Sequence, residues 1–363
     1  MNKPGSENLI ERWSRSSGNT QPISLSGLDG IGGEDSLSGP FRAINRAFES
    51  VNGELILQSS TKGQRGSIAR DWNTVSVNPS DANFVSALRV IAKPKVDFCG
   101  VANDRAVTLE SGTIRFWNLA NRSVQPDGVT PGYYRSCSLW HDGTILMAVP
   151  KIGNEVVGID SQSGAIKFRL TTADSPVKAV FAHASNRIAI GNSKGQVEFW
   201  NVEAGEPVKS NELISISDSK INDISFSETG NSLVIVSDNG SAYVSHRIDS
   251  GWGRPIKFTP IDKQRIVASD ISKNGRRIVT GTESGRLTIW NSETSSEATA
   301  DGSIAQTPEQ DSERELLTLS NQHQSPVRFA KFLTNAKGET QIVSAESQSG
   351  ENQFLIWNVS PAN

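Results

Sequence analysis

The stretch GTIRFWN, residues 112–118, returns as GQVEFWN at 195–201, GRLTIWN at 285–291 and NQFLIWN at 352–358. Each time a short alternating run ends in Trp-Asn. A fifth copy, IARDWN, ends in Trp72-Asn73. Self-similarity at a fixed spacing marks a repeat architecture, so the spacing decides the fold. Trp72 and Trp117 are 45 residues apart; the steps to Trp200 and then Trp290 are 83 and 90, each close to two units. The intervening copies are degenerate: EVVGID puts Ile159 in the Trp position and SAYVSHR puts Ser245 there. With Trp357, this gives seven copies.

A second anchor runs in the same order. Before each Trp stands an apolar segment, a polar or glycine turn and an aliphatic run, as in NRAFESVNGELIL, CSLWHDGTILM and ISFSETGNSLVIV. The apolar end of the first segment falls at Phe48, Val101, Leu139, Phe181, Phe226, Ile271 and Phe332. Short β-rich runs divided by Gly, Asn, Asp and Ser read as antiparallel meanders, and no stretch keeps a helical period. Four strands in a unit of about 40–45 residues is a propeller blade. The sequence therefore predicts an all-β fold, a seven-bladed β-propeller of four-stranded antiparallel blades over residues 21–363. Continuous apolar runs such as LVIV and TILMAV fit middle strands covered on both faces. Trp72, Trp117, Trp200, Trp290 and Trp357 read as structural, filling the space between sheets. Burying about 150–250 Å² of each at roughly 25 cal/mol/Å² is worth up to about 4–6 kcal/mol.

These repeats resemble the WD-repeat family of β-propellers. The last copy carries the resemblance best: in ELLTLSNQHQSPVRFAKF, His323 stands four residues before Val327 and nine before Phe332. The family joins such a His to a Ser or Thr, an Asp and the Trp by hydrogen bonds, which the resemblance maps onto His323, Ser344, Glu351 and Trp357. The copies depart from the family by ending in Trp-Asn rather than Trp-Asp. Ser111, Lys194 and Ser284 also stand where the family usually has Asp. The resemblance implies a non-catalytic scaffold that binds protein partners through its loop faces.

Only six residues follow Trp357, too few for an outer strand, and a ring leaves no unpaired edge. QPISLSG, 21–27, is the candidate to close it, with residues 1–20 a flexible tail. A competing reading takes Trp13 as the end of a blade from a longer protein. The gap from Trp290 to Trp357 is 67 residues. Its surplus, 293–315, has seven acidic residues and one Arg and is expected to be a disordered insertion in blade six. In a meander, loops one–two and three–four share one face of the ring, here face one. Loops two–three and four–one share the other, face two. The insertion lies on face one, as do Trp140, His141 and Trp252. Aromatic residues in turns either fold back onto the blade or meet a partner, so these three are the candidate partner-binding residues.

The chain has 36 basic and 39 acidic residues, so its charge gives no reason to expect nucleic acid or an anionic membrane. No run of about 18 apolar residues suggests a membrane helix, and the N-terminus has no signal-peptide core. Cys99 and Cys137 are read as small buried residues rather than a nucleophile or a disulfide, which places the protein in a reducing, cytoplasmic setting. The four His have no ligand spacing, so no metal or cofactor is expected. No GxSxG, P-loop or strand-linked GxGxxG occurs. The alternative function is an enzyme or small-ligand binder at the central channel. There the inner strands would bring Asp97, Asp223 and Asp270 beside Arg135, Lys178 and Arg328.

Overall fold

The computed structural model describes residues 21–22, 43–49, 55–60, 72–77, 85–92, 96–102, 105–110, 112–118, 126–130, 132–140, 142–216, 219–260, 262–292, 315–319, 323, 325–334, 340–346 and 354–358. Among these, strands form seven antiparallel sheets. The first is β2 (Ala43–Glu49), β3 (Leu55–Ser60), β4 (Trp72–Val77) and β5 (Val85–Ala92), after the short β1 (Gln21–Pro22). The second is β6 (Val96–Ala102), β7 (Arg105–Glu110), β8 (Thr113–Asn118) and β9 (Pro126–Thr130). The third is β10 (Tyr134–Leu139), β11 (Ile145–Pro150), β12 (Glu155–Asp160) and β13 (Ile166–Thr171). The fourth is β14 (Pro176–Ala182), β15 (Arg187–Asn192), β16 (Gln196–Glu203) and β17 (Glu206–Ser215). In the fifth, β18 (Ile221–Phe226), β19 (Ser232–Ser237) and β20 (Ala242–Ile248) meet an outer strand broken into β21 (Gly251–Trp252) and β22 (Ile256–Phe258). The sixth is β23 (Ile266–Ile271), β24 (Arg277–Thr282), β25 (Leu287–Asn291) and β26 (Glu315–Leu319). The seventh is β27 (Val327–Thr334), β28 (Thr340–Glu346) and β29 (Phe354–Asn358), with β1 as its fourth strand.

The first strand of each sheet lies beside the first strand of the next, and β27 lies beside β2, so the inner strands run round a channel. Gln21 pairs with Ile356 and Pro22 with Leu355, which seats chain from the N-terminal end on the last sheet. Residues 1–20, 23–27 and 293–314 lie outside the described residues.

Burial follows strand position. β15 and β19 are buried at every residue, because a sheet packs on each face. The outer β17 is exposed at most positions. The core is a series of inter-sheet layers. In one, Met147, Val149 and Val156 of the third sheet pack against Ala179, Ile188, Ile190 and Trp200 of the fourth. Trp290 is fully buried, its ring edge on to Phe258 at 5.7 Å. The degenerate positions hold core too: Ile159 and Ser245 are both fully buried, and Ser245 Oγ donates to Gly253 O.

Every inner strand carries a one-residue bulge, for example at Arg135 in β10, Asn222 in β18 and Arg328 in β27. A bulge reverses the alternation of faces beyond it. In β6 the bulge residue is Cys99, between Phe98 and Gly100. It is disulfide-bonded to Cys137 of β10, the Cα atoms 5.1 Å apart. This corrects the reading of two unlinked thiols: the inner strands of neighbouring sheets approach within bonding distance at this point. The pairing also withdraws the ground on which a reducing compartment was inferred.

Candidate functional site

The channel wall was one candidate. Lys178 of β14 lies 3.2 Å from Asp223 of β18. Lys331 of β27 lies 3.1 Å from Asp270 of β23. Each pair ties the inner strands of neighbouring sheets. Asp270 also accepts the Phe332 N–H through its other oxygen at 2.9 Å. Burial pushes the Asp270 carboxyl up despite Lys331. Asp223 is also penalised by burial, but the Lys178 and Lys331 ammonium groups outweigh it and hold its pKa down. Burial disfavours the Lys331 charge, yet Asp270 and Asp223 together raise its pKa.

Two carboxylates pushed in opposite directions are the pattern of an acid–base pair. Here, however, each is engaged between sheets, and both oxygens of Asp270 are occupied. Of the expected cations whose side chains are described, Lys178 takes that part and Arg135 does not. Arg135 instead donates through Nε to Pro150 O at 3.1 Å and through Nη2 to Lys151 O. The side chains of Asp97 and Arg328 lie outside the described residues. Lys331 was not foreseen, because the bulge at Arg328 shifts the face on which later residues fall.

The candidate aromatic residues are used for packing. Trp140 is 9% exposed, and its ring stacks on Phe181 of the fourth sheet, centroids 3.8 Å apart. Trp252 stacks on Phe199 at 4.9 Å and leans on Phe226. The two rings occupy different layers, one on each side of the fourth sheet, so they are not brought together. His141 lies outside the described residues. Among the structural candidates, Trp200 is 3% exposed with Lys209 Nζ 5.2 Å from its ring, and Trp290 Nε1 donates to Thr280 Oγ1 at 2.8 Å. His323 Nε2 lies 2.7 Å from Ser344 Oγ. Glu351 and the side chains of Trp72, Trp117 and Trp357 lie outside the described residues.

A different surface stands out on face two. The β11–β12 hairpin tip presents Ile152, 83% exposed, and the β9–β10 connection bonded to that tip presents Tyr133, 59% exposed. The patch is held firmly. Lys151 N–H donates to Tyr133 O at 2.8 Å, and Tyr134 N–H donates to Gly112 O at 2.9 Å. Lys151 Nζ rests 4.0 Å from the Tyr133 ring centroid, a contact worth about 0.5–1 kcal/mol at an exposed site. Among the described residues, no carboxylate comes within 4.0 Å of Lys151 or Arg135. In the sequence this patch is marked only by an Ile in a polar turn, KIGN, 151–154.

The sheets can be set against known folds. The β-propeller domain of Cps50 (Swd1) from Myceliophthora thermophila superposes with a TM-score of 0.62 at 11% identity, over 88% of this chain and 98% of that one. The fold is a β-propeller. At that identity the likeness carries the fold alone, and propellers host many functions. No family model matches the sequence, and no curated protein matches it as a relative. Among the described residues of this propeller, no three His, Cys, Asp or Glu side chains are placed to hold a metal ion. None of its described helices is long and apolar enough to cross a membrane.

Proposed function

We propose that this propeller is a non-catalytic platform for protein–protein interaction, acting through its loop faces. The observation that carries the reading is the Tyr133–Ile152 patch: an exposed aromatic and an exposed aliphatic side chain on two loops bonded to each other, beside cations without a carboxylate partner among the described residues. A rigid base lets loops make contacts without a large ordering cost. Exposed aromatic and aliphatic groups next to a cation suit a partner segment that pairs an apolar anchor with an acidic group. In the channel, the rival location, Lys178, Asp223, Asp270 and Lys331 are engaged in ties between sheets.

The test compares proteins co-purifying with the full chain, with Tyr133→Ala/Ile152→Ser, and with a chain lacking 293–315. A partner retained by wild type and lost with the double substitution, at unchanged melting temperature, supports the platform reading at this patch. A partner lost only with the deletion moves the docking element to the acidic insertion. No partner for any form counts against the platform, and a substrate screen of the channel then takes precedence.

A further inference from the structure

The fourth and fifth sheets meet over charges that do not balance. In β17, Leu213 pairs with Glu198 and Lys209 with Trp200, so Ser210, Asn211 and Glu212 all stand opposite Phe199. Ser210 Oγ accepts the Glu212 N–H at 3.1 Å and fixes this bulge. A bulge re-aims side chains, and Glu212 meets Arg247 of the fifth sheet, its Oε1 2.8 Å from Nη1. Arg187, at the face-one end of β15, is the second cation. Its Nη1 is 3.7 Å from Glu212 Oε2, beyond hydrogen-bonding distance. One carboxylate thus serves two guanidiniums, and burial pushes that carboxyl's pKa up.

The unmet demand is specific. Arg187 is 9% exposed, and its Nε and Nη1 make no hydrogen bond among the described residues. Trp252, opposite Arg247 in the β20–β21 pair, buries its Nε1 without an acceptor as well. Every one of these unsatisfied atoms is a donor. A buried cation is costly unless it is paired and hydrogen-bonded, and the missing partner here is an acceptor with negative charge. The Arg247 side chain is 30% exposed, so one of the two guanidiniums meets solvent.

We propose that the junction of the fourth and fifth sheets, at its face-one end, is an oxyanion-binding site in which Arg187 and Arg247 hold one carboxylate or phosphate group. Guanidinium forks match the two-oxygen edge of either group. The site is independent of the Tyr133–Ile152 patch and stands whether or not that patch binds a partner.

The test follows the melting temperature of the full chain titrated with inorganic phosphate or with acetate, against sodium chloride at equal ionic strength. A ligand that binds only the folded state raises the midpoint with the logarithm of its concentration above Kd. The anion whose rise begins at lower concentration identifies the class of ligand. Arg187→Met abolishes the rise, and Arg247→Gln weakens binding about tenfold or more, the scale of a charged hydrogen bond. Glu212→Gln removes the competing carboxylate and tightens binding. If Arg187→Met does not fold, the half-buried Arg247→Gln and Glu212→Gln carry the test. No rise beyond that in sodium chloride with either anion overturns the proposal. So does a rise of equal size in wild type and the Arg variants, the mark of a general solvent effect.

Discussion

The carboxylate of Asp270 in β23 accepts the backbone N–H of Phe332 in β27 at 2.9 Å, so one side chain bonds the inner strands of two sheets. Lys331 adds its ammonium at 3.1 Å. Removing one partner of a buried pair leaves the other unpaired, which costs about 3–5 kcal/mol. Asp270→Ala is therefore expected to lose about 3 kcal/mol. Asp270→Asn loses less, since its amide oxygen still accepts from Phe332.

The same carboxyl sets a pH dependence. Burial raises its folded pKa above the unfolded value. The folded state therefore holds the proton more tightly, a contribution present below the ordinary carboxylate range and lost as pH rises through the raised value. Wild type should lose stability across that window, and Asp270→Asn should not. Melting curves of both proteins from acid to neutral pH decide it; parallel profiles would show that Asp270 does not carry the dependence.

The Cys99–Cys137 bond closes a loop with a sequence separation of 38 residues. By the chain-entropy relation, constraining a loop of this length stabilises by about 4 kcal/mol. Reduction, or Cys137→Ser, should lower the melting temperature accordingly, and thiol labelling of the unfolded, unreduced chain should find no free cysteine. Two labelled thiols would restore the expectation of a cytoplasmic protein.

Much of the architecture could be read from the sequence because strand pairing and packing within a repeat are periodic. The Trp position fills with core whether it holds Trp290, Trp200 or the degenerate Ile159, since a middle-strand register repeats from sheet to sheet. What joins one sheet to another has no such period. The bulges at Cys99 and Arg328 shift which residues face the neighbouring sheet. That is why the disulfide was not foreseen and why Lys331 on Asp270 was not. Trp140 sits in a turn by sequence, yet its ring reaches Phe181 on the next sheet. No local pattern encodes that contact.

The packing role of Trp140 predicts a contrast. Trp140→Ala removes a buried ring stacked on Phe181 and should cost about 3–5 kcal/mol. Tyr133→Ala removes an exposed ring and its contact with Lys151 and should stay within about 1 kcal/mol. Denaturant unfolding of the two variants measures both. A mild Trp140→Ala effect would return this residue to the set of candidate partner contacts.

Two glycines separate backbone strain from crowding. Gly205 and Gly285 share a φ of +87°, a conformation that costs an L-residue about 1–2 kcal/mol. A Cβ at Gly205, in the β16–β17 turn, would meet nothing within 4 Å. At Gly285, in the β24–β25 turn, it would stand 2.5 Å from His323 O. That carbonyl belongs to the connection entering the seventh sheet, so the clash falls on the junction between sheets and a rotamer change cannot relieve it. Gly205→Ala should cost about 1 kcal/mol, the strain partly offset by the stiffer unfolded chain. Gly285→Ala carries the same strain plus the displacement of His323, and should cost at least about 2 kcal/mol more than Gly205→Ala. Equal losses in denaturant unfolding would mean that the sixth and seventh sheets do not approach this closely at His323.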